Sequence, residues 1–161
     1  MPTITIQGTP IAFPSSSQEP NWAPAIIQFA EAVEAALNGI VGPYDISPQV
    51  LALSSNINTN LDIPNLAFPT SAVRGAFIKY AIYRKSTGVG ATTVVESGNI
   101  IAVYNADSGG AKWEWSNDFS GTPTAVFNVT DTGQVQLTTT AITGTYAAGF
   151  LTYSATALTQ T

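Results

Sequence analysis

The second half of the chain alternates short strand-like segments with turn signals, and this pattern constrains the fold more than any other feature. From residue 71 onward, such segments recur about every 8–12 residues, with glycine and asparagine between them. The clearest hairpin signals are predicted turns at residues 97–98 and 130–133. We therefore expect a mostly-β chain with an antiparallel β-sandwich or jelly roll over residues 71–161.

One predicted strand, residues 73–84, is apolar on both faces. Phe77 lies on one face, and Ile78, Tyr80 and Ile82 lie on the other. Such a strand is typical of the middle of a sheet that is covered on both sides. A second sheet, a helix and another subunit are all suitable covers.

Residues 22–41 are predicted to form the one helix of the chain. Apolar residues recur there at spacings of 4, 3, 4 and 3, which is a heptad pattern just over two heptads long. A seam of this length is too short to hold a coiled coil alone. It either covers the chain's own sheet or packs against copies of itself at a symmetry axis. The seam residues are Ile26, Ala30, Val33, Leu37 and Ile40.

The pattern divides the chain into three parts. Residues 1–42 are predicted to form an extended arm followed by the helix, and residues 43–70 an extended connector rich in proline and asparagine. Residues 71–161 form the β domain. Within the arm, residues 3–7 alternate as a strand does. An arm strand can pair with the sheet edge of a neighbouring subunit or with its own domain.

Ionised side chains are scarce in this sequence. They make up 9% of the residues, whereas an ordinary soluble domain has about 25%. A charged surface usually keeps soluble domains apart. The composition therefore favours an assembly subunit that hides much of its surface against partners. A secreted, threonine-rich β domain is the alternative explanation.

The composition also excludes several classes of function. The five basic residues are too few and too scattered for nucleic-acid binding. Without histidine and cysteine, the chain has no Ser-His-Asp or Cys-His arrangement, no zinc site and no disulfide. It also lacks a glycine-rich phosphate loop. We predict that the chain is not an enzyme and binds no metal or cofactor.

The N-terminal sequence indicates where the protein is made. It has neither the basic region nor the apolar core of a signal peptide. No apolar run reaches the roughly 18 residues that a membrane-spanning helix needs. We expect a protein that assembles in the cytoplasm and has no membrane span.

Trp113 and Trp115 lie two residues apart on a predicted strand, so their side chains point to the same face. Exposed aromatic rings can stack against a sugar, which makes the pair a candidate glycan platform. Two core or interface tryptophans are the simpler explanation. Glu114 points to the opposite face, and this alternation disfavours a glycosidase site.

In residues 127–139 an apolar strand and a glycine-containing turn precede a Gln-Val-Gln strand, and a closing strand follows at residues 149–155. In this pattern the C-terminal region resembles small fibre and other structural proteins of tailed bacteriophages. The resemblance covers about residues 60–158, and the N-terminal helix is also similar, though less specifically. Three upstream segments share it, at residues 63–68, 73–78 and 101–105.

This resemblance implies a β-sandwich appendage, commonly trimeric, on a phage virion. The appendage would be a short tail-fibre component or a capsid decoration (cement) protein. Its partners would be copies of itself and other capsid or tail proteins. The resemblance implies no catalytic or ligand-binding residue. The alternative function is a carbohydrate-binding module for receptor recognition, with a host-surface glycan stacked on Trp113 or Trp115.

Overall fold

The structure, a computed structural model, forms two compact units, Met1–Pro43 and Tyr44–Thr161. In the first unit, β1 (Thr3–Ile6) pairs antiparallel with β2 (Thr9–Ala12), and helix α1 spans residues 26–33. Helix α1 lies within the predicted helix at residues 22–41, and the rest of that range is outside the described residues. The structure describes residues 3–6, 9–12, 26–33, 42–106, 110 and 112–160.

The second unit contains two antiparallel sheets. A five-stranded sheet has the order β3-β10-β5-β6-β7, and a three-stranded sheet has the order β4-β9-β8. This confirms the predicted mostly-β, sandwich-type fold. The strands are β3 (Ile46–Ala52), β4 (Ile57–Ala67), β5 (Val73–Thr87), β6 (Thr93–Asn105), β7 (Lys112–Gly121), β8 (Ala125–Val129), β9 (Gln134–Thr139) and β10 (Thr145–Thr159).

Residues 43–70, assigned from the sequence to a connector, contribute β3 and β4, one strand to each sheet. Each is an edge strand, where a proline removes no ladder hydrogen bond from an inner pair. Pro48 lies in β3 and Pro64 in β4. Ile63 and Leu66 of β4 are buried in the core, so this segment is part of the sandwich.

The core lies between the inner faces of the two sheets. Ile78 and Ile82 of β5 and Leu137 of β9 belong to one cluster of buried residues. The rings of Tyr80 and Phe127, which come from opposite sheets, have centroids 4.5 Å apart. Apolar burial at this interface is the main source of stability in a sandwich of this kind.

Of the two predicted hairpin turns, one is confirmed and one is wrong. The turn at residues 130–133 joins β8 to β9, and Gly133 adopts the left-handed backbone with φ +88°. At residues 97–98 the chain does not turn, because β6 runs straight from Thr93 to Asn105. A Cβ on Gly98 would overlap the backbone carbonyl of Asp118 on β7 and lie 2.9 Å from the ring of Tyr80 on β5. Glycine is needed at this position because both neighbouring strands come too close for a side chain.

Two buried charges hold the loops that connect the sheets. Glu96, which is 1% exposed, accepts hydrogen bonds from the Tyr80 hydroxyl (2.8 Å) and from the backbone N–H of Thr124 (3.0 Å). Arg84 is fully buried and donates to the carbonyls of Ser55 and Thr140. Burial lowers the pKa of Arg84. Together these side chains anchor the β7–β8, β3–β4 and β9–β10 connections to the larger sheet.

Candidate interaction surface

The outer face of the five-stranded sheet, which points away from the three-stranded sheet, is the candidate functional site. Cross-strand register places its side chains in rows that run perpendicular to the strands. One such row consists of Ser154 on β10, Lys79 on β5, Asn99 on β6 and Asp118 on β7. This polar row crosses the middle of the face.

Apolar rows lie on both sides of the polar row. On one side, Phe77 is opposite Ile101. On the other, beyond a row of small side chains, Tyr83 lies between Val95 and Phe150, and the two rings of that row stack with centroids 5.2 Å apart. Seven large apolar side chains of the outer face are 41–70% exposed: Val50, Phe77, Val95, Ile101, Val103, Phe150 and Leu158.

The exposed row containing Phe77 shows which face of the predicted central strand lacks a cover within the described residues. Strand β5 does lie in the middle of its sheet, and Ile78, Tyr80 and Ile82 are buried as expected. Phe77, however, is 46% exposed, so the described residues leave the second face uncovered. Contiguous exposed apolar patches on a soluble protein mark interaction sites. We therefore take this face as the surface that a partner contacts.

A shallow depression of about 380 Å³ opens over the polar row. It forms because serine side chains at positions 97 and 120 leave space beside the bulkier rows. Asp118 is the one carboxylate in its lining, so the depression does not contain the acid pair of a glycosidase. The lining residues are Lys79, Tyr80, Ser97, Gly98, Asn99, Asp118, Phe119 and Ser120.

Lys79 and Asp118 carry opposite charges at the two ends of this depression. They are two strands apart in one row, so their backbones are about 10 Å apart. Within the described part of the chain, the one ion pair is Lys112–Glu114 at 3.9 Å. Both charges of the polar row are thus exposed, and neither has an ion-pair partner among the described residues.

The predicted helix seam is only partly described. Ile26 is 56% exposed, Ala30 is also exposed, and Val33 is half-buried. Leu37 and Ile40 lie outside the described residues. The role of the seam in oligomer contacts stays a prediction.

The two tryptophans share one side of β7, with Trp113 opposite Tyr104 and Trp115 opposite Ala102. Trp113 is 5% exposed and packs against Phe68 and Tyr104, with ring centroids 6.2 Å and 5.6 Å away. Its ring is part of the core and offers no free face to a sugar. Trp115, nearer the middle of this edge strand, is 37% exposed. Stacking of a glycan on Trp115 stays a prediction.

The acidic side chains of the described ranges are dispersed. In those ranges, no three acidic, histidine or cysteine side chains lie close enough together to hold a metal ion. No helix there is long and apolar enough to cross a membrane.

No family model and no curated protein sequence matches the chain. Two phage tailspike structures resemble it, each at 11% identity. The Acinetobacter phage vB_ApiP_P1 tailspike has a TM-score of 0.37 and matches 69% of this chain over 22% of its own length. The Acinetobacter baumannii phage AM24 tailspike has a TM-score of 0.33, with 73% and 26% covered. The chain thus spans only about a quarter of either tailspike, and a likeness at this level assigns it no activity.

Proposed function

We propose that the chain is a structural, non-enzymatic subunit of a tailed-phage particle and that it acts as a homo-oligomer. The observation that carries this proposal is the outer face of the five-stranded sheet. Seven of its large apolar side chains are at least 41% exposed in a chain with only 9% charged residues. An isolated soluble domain with such a surface would tend to aggregate, whereas an assembled subunit buries it.

The finer assignment rests on the sequence resemblance. It indicates a trimeric β-sandwich appendage, either a short tail-fibre component or a capsid decoration protein. The partners would be further copies of the chain and neighbouring capsid or tail proteins. The protein would assemble in the host cytoplasm and reside in the virion.

Purified particles of the phage that encodes the chain provide the test. Quantitative mass spectrometry should find the chain in particles at a fixed ratio to the major capsid protein, and a map of the particles should show density for the sandwich. A chain that is abundant in the infected-cell lysate but absent from washed particles would contradict the proposal.

Carbohydrate binding is the second candidate, and the exposure of Trp115 at the sheet edge favours it. A glycan that stacks on this ring should change the tryptophan fluorescence, and Trp115→Ala should abolish that change. The buried Trp113 remains in that variant as an internal reference. Fluorescence that does not respond to any host-surface glycan would remove this candidate.

A further inference from the structure

We propose that the outer face is the contact between copies of this chain, with Lys79 of one copy against Asp118 of the next. The symmetry axis would run along the strands. This inference rests on the proposed function, since it names the surface through which the subunit self-assembles.

The polar row is complementary to itself. Lys79 and Asp118 lie on opposite sides of Asn99, one strand away in each direction. Rotation about an axis parallel to the strands leaves the position of each residue along the strand direction unchanged. Each row of one copy therefore meets the same row of its neighbour. When two such faces meet, the β5 side of one copy is opposite the β7 side of the other. Lysine therefore faces aspartate without any shift along the strands.

In the row next to the polar row, the side chains that the same rotation brings together differ in size. It places Phe77 on β5, Ile101 on β6 and Ser116 on β7. The rotation that brings Lys79 to Asp118 also brings Phe77 to the Ser116 of the neighbour. A large ring then faces a small side chain, as close packing between two sheets requires.

The overlap between the two faces sets the size of this contact. With Asn99 on the axis, β5, β6 and β7 of one copy lie over the same three strands of the neighbour. Three strands about 4.8 Å apart, each about ten residues long at about 3.4 Å per residue, form a surface of about 490 Å² on each copy. This area is in the range of weak protein contacts, so the complementary charges of the polar row, rather than the area, favour a second copy as the occupant.

Charge reversal tests the contact directly in the full chain. Lys79→Glu and Asp118→Lys should each raise the dissociation constant of the oligomer by at least about tenfold, because each places like charges opposite one another. The double variant restores opposite charges and should return to within about threefold of the wild type. Oligomer mass is read by light scattering over a dilution series, and circular dichroism checks that each variant is folded.

Lys85→Glu is the matched control. Lys85 lies on the same strand and the same face as Lys79, but it is opposite Thr93 and Ala148 and beyond the pairing of β7, which ends at Gly121. Lys85→Glu changes the net charge by the same amount as Lys79→Glu. The row that contains Lys85 has no acidic residue, so no like charges come to face one another. We expect it to leave the dissociation constant within about threefold of the wild type.

The outcomes separate this inference from the proposed function. A wild-type oligomer that neither single reversal weakens, or a double variant that fails to recover, overturns the inference and leaves the structural role intact. A wild-type chain that is monomeric alone yet enters particles in a Lys79-dependent way assigns the face to another virion protein, which also overturns it. A monomer that is absent from particles contradicts the proposed function itself.

Discussion

Replacing Glu96 with alanine should loosen the connection between the two sheets. The carboxylate is 1% exposed and accepts hydrogen bonds from the Tyr80 hydroxyl and from the N–H groups of Thr124 and Ala125. Two of these donors belong to the segment that crosses from β7 to β8. Alanine would leave all three donors without an acceptor and open a cavity.

The expected loss follows from this network. Each buried donor that loses its acceptor costs about 1–3 kcal/mol, so with three such donors we expect Glu96→Ala to lower the free energy of unfolding by about 4 kcal/mol. Glu96→Gln is the matched variant. Its oxygen can still accept from Thr124, and its amide can donate to the Tyr80 oxygen, so the loss should be only about 1 kcal/mol.

Guanidinium unfolding at a fixed protein concentration measures both variants, since the concentration of an oligomer affects its apparent stability. With a slope of about 4 kcal/mol per molar, the alanine variant should shift the midpoint by about 1 M. Hydrogen exchange at Thr124 and Ala125 should accelerate in parallel. If the alanine variant unfolds at the same denaturant concentration as the glutamine variant, the carboxylate does not hold this segment and the reasoning fails.

Three further results are expected. Burial raises the pKa of Tyr80 and Tyr153 above the ordinary 10.0, so stability is complete below about pH 10 and falls as the pH rises further. Tyr153→Phe should make the fall in stability above about pH 10 shallower in alkaline denaturant titrations, and an unchanged slope would contradict it. Gly133→Ala should lower the free energy of unfolding by more than about 3 kcal/mol, because a Cβ there overlaps the Phe68 carbonyl; thermal unfolding like the wild type's would refute this. Val33→Asp should reduce oligomer mass or particle incorporation by placing an unpaired charge in the helix seam, whereas unchanged values in both assays would make the seam an ordinary surface.

The sequence predicts local features well where one physical signal dominates. The glycine turn at residues 130–133 and the long strand through Ile78 and Ile82 both have strong short-range patterns, and both are confirmed. The hairpin predicted at Gly98 is wrong because this glycine lies within a continuous strand, where the Asp118 carbonyl and the Tyr80 ring of the two neighbouring strands come close to it. Sequence pattern alone cannot distinguish a glycine that turns the chain from a glycine that admits close neighbours in a sheet.

The buried charges and the exposed face are harder to predict. Arg84 and Glu96 have the same strand phase as Ile82 and Val94, which is the phase of the inner face. The alternation alone is weak evidence that a charged residue is buried, because most charged residues in strands face water. The exposure of Phe77 depends on which element covers the sheet, and a sequence pattern does not contain that information.

Hydroxyl-radical footprinting of the intact assembly tests the central claim most directly. Phe77 lies on the part of the outer face where two copies overlap, and Phe119, with a similar exposure of 44%, lies on the other side of β7. We predict that assembly protects Phe77 severalfold relative to a dissociated charge-reversal variant, while Phe119 reacts equally in both. Equal reactivity of Phe77 in the assembled and dissociated states would show that the outer face remains in water, and would contradict the account.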